Sequence, residues 1–170
     1  MEKENQKTFV VLGMHRSATS LVAKCFHENI INMGSEFLPP AEDNPKGFYE
    51  NVDFLNLNND ILIKAGGNWL EPPPHNRILD TYPFFENRIK ETIDKHRDDY
   101  WGWKDPRTTL TIDLFHEHLP NPHYVTVFRN PLDVAKSLNK RNSISLEKGI
   151  LTAKEYNFRM IIFLSKNHIR

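Results

Sequence analysis

The chain has 170 residues, a length that suits one domain with its own hydrophobic core. Its 22 Lys and Arg residues balance 22 Asp and Glu residues, so no net field draws it to nucleic acid or to an anionic membrane. No apolar run approaches the length of a membrane span, and a single cysteine excludes an internal disulfide framework. We therefore expect a cytoplasmic protein without a nucleic-acid partner or a membrane span, in which local clusters of charge bind any anion.

The first half of the chain predicts a strand followed by three helices. Residues 1–7 are polar and are expected to form a flexible tail before a domain at 8–170. An apolar strand is predicted at about 8–12, and a helix at about 19–30 with Cys25 on its apolar, core-facing side. Further along come an irregular segment at 31–50, a helix at about 52–65, a Pro-rich loop at 71–74, and a helix to about residue 96 that Thr81 caps.

The second half predicts two more strands, each followed by a helix. The strands lie at 100–104 and 123–128, and Asp105-Pro106 and Asn130-Pro131 begin the helices after them. A capping box, Thr152-Ala153-Lys154-Glu155, indicates the start of a last helix. Strands that alternate with helices predict an α/β fold, with a central parallel sheet in a three-layer α/β/α arrangement.

The most informative segment joins the first strand to its helix, Gly13-Met14-His15-Arg16-Ser17-Ala18-Thr19-Ser20. Such a turn points backbone N–H groups and the positive end of a helix at one spot, which favours phosphate or sulfate. The nucleotide-triphosphatase loop reads G-x-x-x-x-G-K-[ST], but Thr19 stands in the place of its lysine and the cation is Arg16. This weakens an ATPase interpretation; an ordinary strand–helix turn is the plain alternative.

Cations follow all three predicted strands. Arg16 lies in the loop after the first strand, Lys104 ends the second, and Arg129 follows the third. Because ligands bind at the carboxyl ends of parallel strands, we expect the three cations to meet at one edge and to bind a ligand with more than one anionic group.

The segment Arg129-Asn130-Pro131-Leu132-Asp133-Val134-Ala135-Lys136-Ser137 resembles the 3′-phosphate-binding segment of sulfotransferases that use 3′-phosphoadenosine 5′-phosphosulfate (PAPS). The resemblance implies that Arg129 and Ser137 hold the 3′-phosphate. The loop at 13–20 resembles the 5′-phosphosulfate loop of the same family, which implies a P-loop-like fold and donor contacts from His15, Arg16, Ser17, Ala18, Thr19 and Ser20. Ala18 departs from the family's usual glycine, which is chosen for positive φ or close approach of the backbone.

Two further segments suggest catalytic roles. Trp103-Lys104-Asp105-Pro106 resembles a K-D-P segment of tyrosyl-protein and related sulfotransferases, which implies that Lys104 stabilises the bridging oxygen while Arg16 holds the phosphosulfate. Residues 44–51 resemble the G-[FY]-x-E segment of bacterial sulfotransferases and make Glu50 the expected base. Capping of the next helix is the alternative role for Glu50, and Glu36 and His15 are the competing bases. We expect no metal.

The sequence therefore predicts a PAPS-dependent sulfotransferase acting on a hydroxyl or amine of a small-molecule or glycan acceptor, with the loops at 31–50 and 66–80 shaping the acceptor site. The alternatives are a P-loop nucleoside or small-molecule kinase and a catalytically weak nucleotide-binding module. Sulfotransferase domains usually extend further than this one, so the domain is expected to be C-terminally short. The apolar run at 160–164 needs a partner surface, for which a homo-oligomer is one expectation.

Overall fold

The computed structural model describes residues 6–40 and 47–169. Its sheet has three parallel strands in the order β2-β1-β3: β1 (Lys7–Gly13) lies between β2 (Tyr100–Lys104) and β3 (Pro122–Val127). The predicted α/β class and central parallel sheet are confirmed. Lys7 belongs to β1, where it pairs with Tyr100, so the predicted tail at 1–7 is too long by at least this residue; residues 1–5 lie outside the described ranges.

Seven α-helices surround the sheet within the described residues, and two short 3₁₀ turns, at Ile112–Leu114 and His116–His118, precede β3. The helices are α1 (Thr19–His27), α2 (Val52–Lys64), α3 (His75–Leu79), α4 (Tyr82–His96), α5 (Thr108–Thr111), α6 (Pro131–Asn142) and α7 (Leu146–Lys166).

The core divides into two clusters because successive residues of β1 point to opposite faces of the sheet. Val10 and Leu12 join the larger cluster with Trp101 and Trp103, and Val11 joins a smaller one. Both tryptophans are fully buried, and Trp103 stacks on Phe54 of α2 with ring centroids 4.2 Å apart. This packing fixes α2 against β2 and so determines where the segment just before α2 can lie.

Asparagine side chains begin two of the helices that frame the sheet edge. The Asn130 side chain accepts a hydrogen bond from Leu132 N at 2.9 Å, and Pro131 occupies the first turn of α6, as the sequence predicts. Asn51 caps α2 by accepting from Asp53 N at 3.0 Å. The capping role considered for Glu50 therefore belongs to its neighbour.

Two predicted helix caps are wrong. The last helix begins at Leu146, where the Ser145 hydroxyl accepts from Lys148 N at 3.2 Å. Thr152 lies inside that helix and donates to the carbonyl oxygens of Lys148 and Leu70. Thr81 stands directly before α4, as predicted, but its hydroxyl does not cap the helix, because it donates to Ile78 O at 2.7 Å. Ser and Thr hydroxyls can donate to a carbonyl of the preceding turn as readily as they accept from an N–H of the following one.

The prediction of a buried Cys25 is also wrong: Cys25 is exposed, and α1 ends at His27 rather than near residue 30. The buried positions of α1 are Thr19 and Ala23, which are four residues apart and share one face. Cys25 lies about 200° around the helix from Ala23, on the opposite side.

No helix within residues 6–40 and 47–169 combines the length and the apolar character needed to cross a membrane.

Candidate functional site

The carboxyl ends of all three strands open into one cleft with a volume of about 320 Å³, called here the outer cleft. The register pairs Val11 with Lys104 and Gly13 with Val127, so the three strands finish at the same edge. The structure brings together in this cleft the three cations that follow the strands, Arg16, Lys104 and Arg129. The other lining residues come from the loop after β1, the start of α1, the segment before α2, the loop after β2 and the end of α6: His15, Ala18, Thr19, Ser20, Leu21, Lys24, Gly47, Phe48, Tyr49, Glu50, Pro106 and Arg141.

The loop after β1 is tightly folded. A Cβ on Gly13 would lie 2.7 Å from Val127 O, so only glycine allows β1 and β3 to approach this closely there. Arg16 and Ala18 both have left-handed backbones, with φ of 66° and 67°. A left-handed alanine costs about 1 kcal/mol, a strain that glycine would not carry. α1 begins at Thr19, so the N–H groups of Thr19 and Ser20 lack acceptors within the helix, whereas Leu21 N already donates to Ala18 O at 3.0 Å.

Hydrogen bonds join Arg16, Arg129 and Ser137 beside the outer cleft. Arg16 and Arg129 line the cleft, whereas Ser137 lines a neighbouring space with Arg16, Lys140 and Arg141. Arg16 Nε donates to Ser137 Oγ at 2.9 Å, and Arg129 Nη1 donates to Arg16 O at 2.6 Å. Because Asn130 and Pro131 start α6 just after β3, Ser137 comes to face the loop. The Arg16 side chain thus lies beside the two residues predicted to bind the 3′-phosphate, although the sequence assigned it to the 5′ end.

Lys104 and Glu50 form a buried ion pair at the centre of the site. Their side chains are only 1% and 5% exposed, and Lys104 Nζ lies 2.8 Å from Glu50 Oε1. Lys104 Nζ also donates to Ser20 Oγ at 3.2 Å, which links the pair to the loop. Burial lowers the pKa of Lys104, while the Glu50 carboxylate opposes that shift. An amine held in this way can supply a positive charge or a proton where negative charge develops.

Arg107 holds the other oxygen of Glu50. Its Nη1 lies 3.5 Å from Glu50 Oε2 and 2.6 Å from Asp105 Oδ1. Asp105 is fully buried and also accepts from Asn58 Nδ2 of α2 at 2.8 Å. The helix after β2 begins at Thr108, later than the start predicted at Asp105-Pro106. Burial opposes the charge on Arg107, but the carboxylates of Asp105 and Glu50 outweigh it and raise the Arg107 pKa. Arg107 therefore stays charged.

His15 faces a second, smaller space of about 210 Å³, called here the inner chamber. Its ring packs 4.7 Å from the Trp69 ring, and its Nε2 is buried without a hydrogen-bond partner among the described residues. Burial, and next the charges of Arg107 and Lys104, place the pKa of His15 well below its usual value, so the imidazole is neutral near pH 7. His15 lines both spaces and is thus not confined to the donor side.

The remaining predicted residues divide between the site and its surroundings. Ser17 is buried in the loop and does not line the outer cleft, whereas Thr19, the first residue of α1, is buried and lines it. Glu36 is exposed and lines neither space; its carbonyl accepts from Val52 N at 2.9 Å. Part of the segment that suggested Glu50, residues 44–46, lies outside the described ranges.

Sequence reasoning did not identify Lys24 and Arg141 as site residues. Lys24 is four residues after Ser20 on α1, and Arg141 is four residues after Ser137 on α6. Residues spaced by four share a helix face, so the helical period could have identified both. Phe48 was also missed, because nothing in its local sequence shows that residues 47–50 turn inward.

Across the two described ranges, no three His, Cys, Asp or Glu residues are grouped so that they could hold a metal ion.

No protein-family model matches this chain, and no curated protein or solved structure matches it either. What the chain does must therefore be inferred from its own residues and their arrangement.

Proposed function

We propose that the protein is a PAPS-dependent sulfotransferase with a three-layer, P-loop-like fold, which transfers a sulfuryl group to a hydroxyl or amine of a small-molecule or glycan acceptor. One observation carries the proposal: two sequence segments that resemble the two ends of a PAPS site converge in space. Arg16 in the first segment donates to Ser137 in the second at 2.9 Å, across 121 positions of sequence.

The outer cleft suits a donor that is anionic at both ends. At one end, Arg16 and Arg129 offer guanidinium donors for a 3′-phosphate, and Ser137, bonded to Arg16 just beside the cleft, offers a hydroxyl. At the other end, the loop and the first turn of α1 offer backbone N–H groups, with Lys104 close by. A volume of about 320 Å³ falls at the lower end of the range for small-molecule sites.

The donor supplies a sulfuryl group whose transfer leaves adenosine 3′,5′-bisphosphate. Negative charge grows on the leaving oxygen as the sulfur–oxygen bond breaks, and Lys104, buried beside Ser20, can stabilise it. Glu50, which lines the cleft beside Lys104, can accept the proton of the acceptor group. The chain's main contribution is positioning and charge, as in phosphoryl transfer.

Calorimetry with three nucleotides tests the proposal. Adenosine 3′,5′-bisphosphate should bind at least about tenfold more tightly than adenosine 5′-phosphate, because hydrogen bonds from charged donors hold its 3′-phosphate. Arg129→Ala should remove this preference. Arg88→Ala, which alters an exposed ion pair with Asp60, is the matched control. Preference for ATP with magnesium would favour a kinase, and bisphosphate binding without turnover on a broad acceptor panel would favour a binding module.

Two glutamine variants test the assignment of the base. Glu50→Gln should abolish sulfuryl transfer with little change in bisphosphate affinity, because the proton acceptor is lost while the 3′-phosphate site is intact. Glu36→Gln should retain activity, since Glu36 is exposed and lines neither space. The opposite pattern would make Glu36 the base.

A further inference from the structure

The inner chamber adjoins the outer cleft at Glu50. The two spaces share His15, Phe48, Glu50 and Arg141. A molecule in the inner chamber and a nucleotide in the outer cleft would therefore approach each other at the Glu50 carboxylate. This is the arrangement that a transfer reaction between two substrates requires.

The walls of the inner chamber are mostly flat or aliphatic side chains. Trp69 and His15 pack against each other, Phe48 is 8% exposed, and Leu38 and Leu138 complete the apolar surface. A volume of about 210 Å³ corresponds to roughly seven water molecules at liquid density, which is room for one ring with a short substituent. Aromatic walls of this kind bind rings through stacked and edge contacts.

The loop that carries Trp69 is held by α7. Tyr156 Oη donates to Trp69 O at 2.9 Å, and Thr152 Oγ1 donates to Leu70 O at 3.0 Å. Arg159 Nη2 donates to Pro73 O at 2.6 Å, further along the same loop. Three hydrogen bonds from one helix face fix the backbone of this wall before any ligand binds, which lowers the entropic cost of binding.

The polar side of the inner chamber is cationic. Arg107 and Arg141 line it, and Glu50 is the single carboxylate among its described lining residues. Arg107 is 12% exposed, and its Nε is buried without a hydrogen-bond partner in the described part of the chain. A guanidinium carries five N–H donors, and Asp105 and Glu50 contact Arg107 at Nη1, so the group keeps the capacity to bind a carboxylate of a ligand as well. Arg141 lies over the Phe48 ring, 5.5 Å from its centroid, at the junction with the outer cleft.

We propose that the inner chamber, which on the proposed function is the acceptor site, takes a hydroxylated ring compound that carries a carboxylate or another anionic group. Arg107 and Arg141 hold the anion, and Phe48 and Trp69 contact the ring. In the transfer, the acceptor oxygen forms a bond to sulfur and its proton passes to Glu50. The bond from sulfur to the 5′-phosphate oxygen breaks, and its electron pair leaves on adenosine 3′,5′-bisphosphate.

Three phenols of similar size and different charge test this inference: 4-hydroxyphenylacetate, 4-ethylphenol and tyramine. Their affinities are measured by calorimetry on the intact protein saturated with adenosine 3′,5′-bisphosphate. The carboxylate should bind at least about tenfold more tightly than the neutral phenol, and tyramine should bind most weakly. Arg107→Lys keeps a charge beside Asp105 but loses the planar fork, so it should reduce the preference severalfold. Arg88→Lys is the control on an exposed arginine.

Equal affinities, a preference for tyramine, or no binding of any phenol would overturn this inference while bisphosphate binding still supports the proposed function. Failure of the bisphosphate to bind would overturn the proposed function and this inference together. If Arg107→Lys does not fold, the order of the three affinities on the unmodified protein decides. In addition, Arg141→Gln, at an exposed position, must lower the affinity for 4-hydroxyphenylacetate more than the affinity for 4-ethylphenol.

Discussion

Removing either charge of the buried pair Lys104 and Glu50 should lower the free energy of unfolding. Removing both charges together should lower it by less than the sum of the two single losses. Both side chains are almost fully buried, and their charged atoms lie 2.8 Å apart. Lys104→Met leaves the Glu50 carboxylate without its nearest cation. Glu50→Gln leaves the Lys104 ammonium with Ser20 and an uncharged amide.

The structure sets the expected magnitude. Breaking a buried ion pair by removing one partner costs about 3–5 kcal/mol. Because Arg107 Nη1 remains 3.5 Å from Glu50 Oε2, we expect Lys104→Met to lie at the lower end, about 3 kcal/mol. Glu50→Gln should cost a similar amount. The double variant buries no unpaired charge at these two positions, so the coupling between them should be about 1.5 kcal/mol or more.

Urea unfolding at pH 7 measures all four proteins of this double-mutant cycle. The control cycle uses Lys90→Met and Glu86→Gln, an exposed pair on α4 at 2.6 Å, whose coupling should fall within experimental error. If the costs at Lys104 and Glu50 add to within about 0.5 kcal/mol, the two groups do not stabilise each other and the account of the buried pair is wrong.

Two further variants test the loop after β1. In the folded protein the lowered pKa keeps His15 neutral, whereas an unfolded histidine gains a proton below about pH 6.5. The free energy of unfolding should therefore fall by up to about 2 kcal/mol from pH 7 to pH 5 through His15 alone. In urea titrations His15→Gln should reduce that loss and the exposed-site control His168→Gln should not; equal pH profiles would contradict the inference. Ala18→Gly should raise the free energy of unfolding by about 0.5–1 kcal/mol, because relief of the left-handed strain exceeds the added entropy of the unfolded chain. A loss of stability would mean that the alanine methyl makes packing contacts worth more than the strain.

The parts of the molecule that the sequence predicted well are those determined by local patterns. The strand at 100–104 was predicted with the bounds that the structure shows, and Asn130-Pro131 correctly predicted the start of α6. The order of strands and helices then brought the ends of the strands to one edge. Arg16, Lys104 and Arg129 could be placed together because that conclusion needs only parallel strands.

Features that depend on tertiary packing were harder to predict. A T-x-x-E pattern is compatible with a helix interior, and Thr152 was mistaken for a cap although it holds the loop at Leu70. The loop at 66–80 was expected to shape the acceptor site, but the contact of its Trp69 with His15 arises only when the loop before α3 packs on α7. The pairing of Lys104 with Glu50 likewise depends on how α2 packs against β2.

A crystal structure with adenosine 3′,5′-bisphosphate tests the central claim most directly. We expect the 3′-phosphate within hydrogen-bonding distance of Arg16, Arg129 and Ser137, and the 5′-phosphate against the N–H groups at the start of α1 with Lys104 nearby. Binding of the nucleotide away from the outer cleft, or with no phosphate in contact with Arg129 and Ser137, would contradict the claim that these two segments form one nucleotide site.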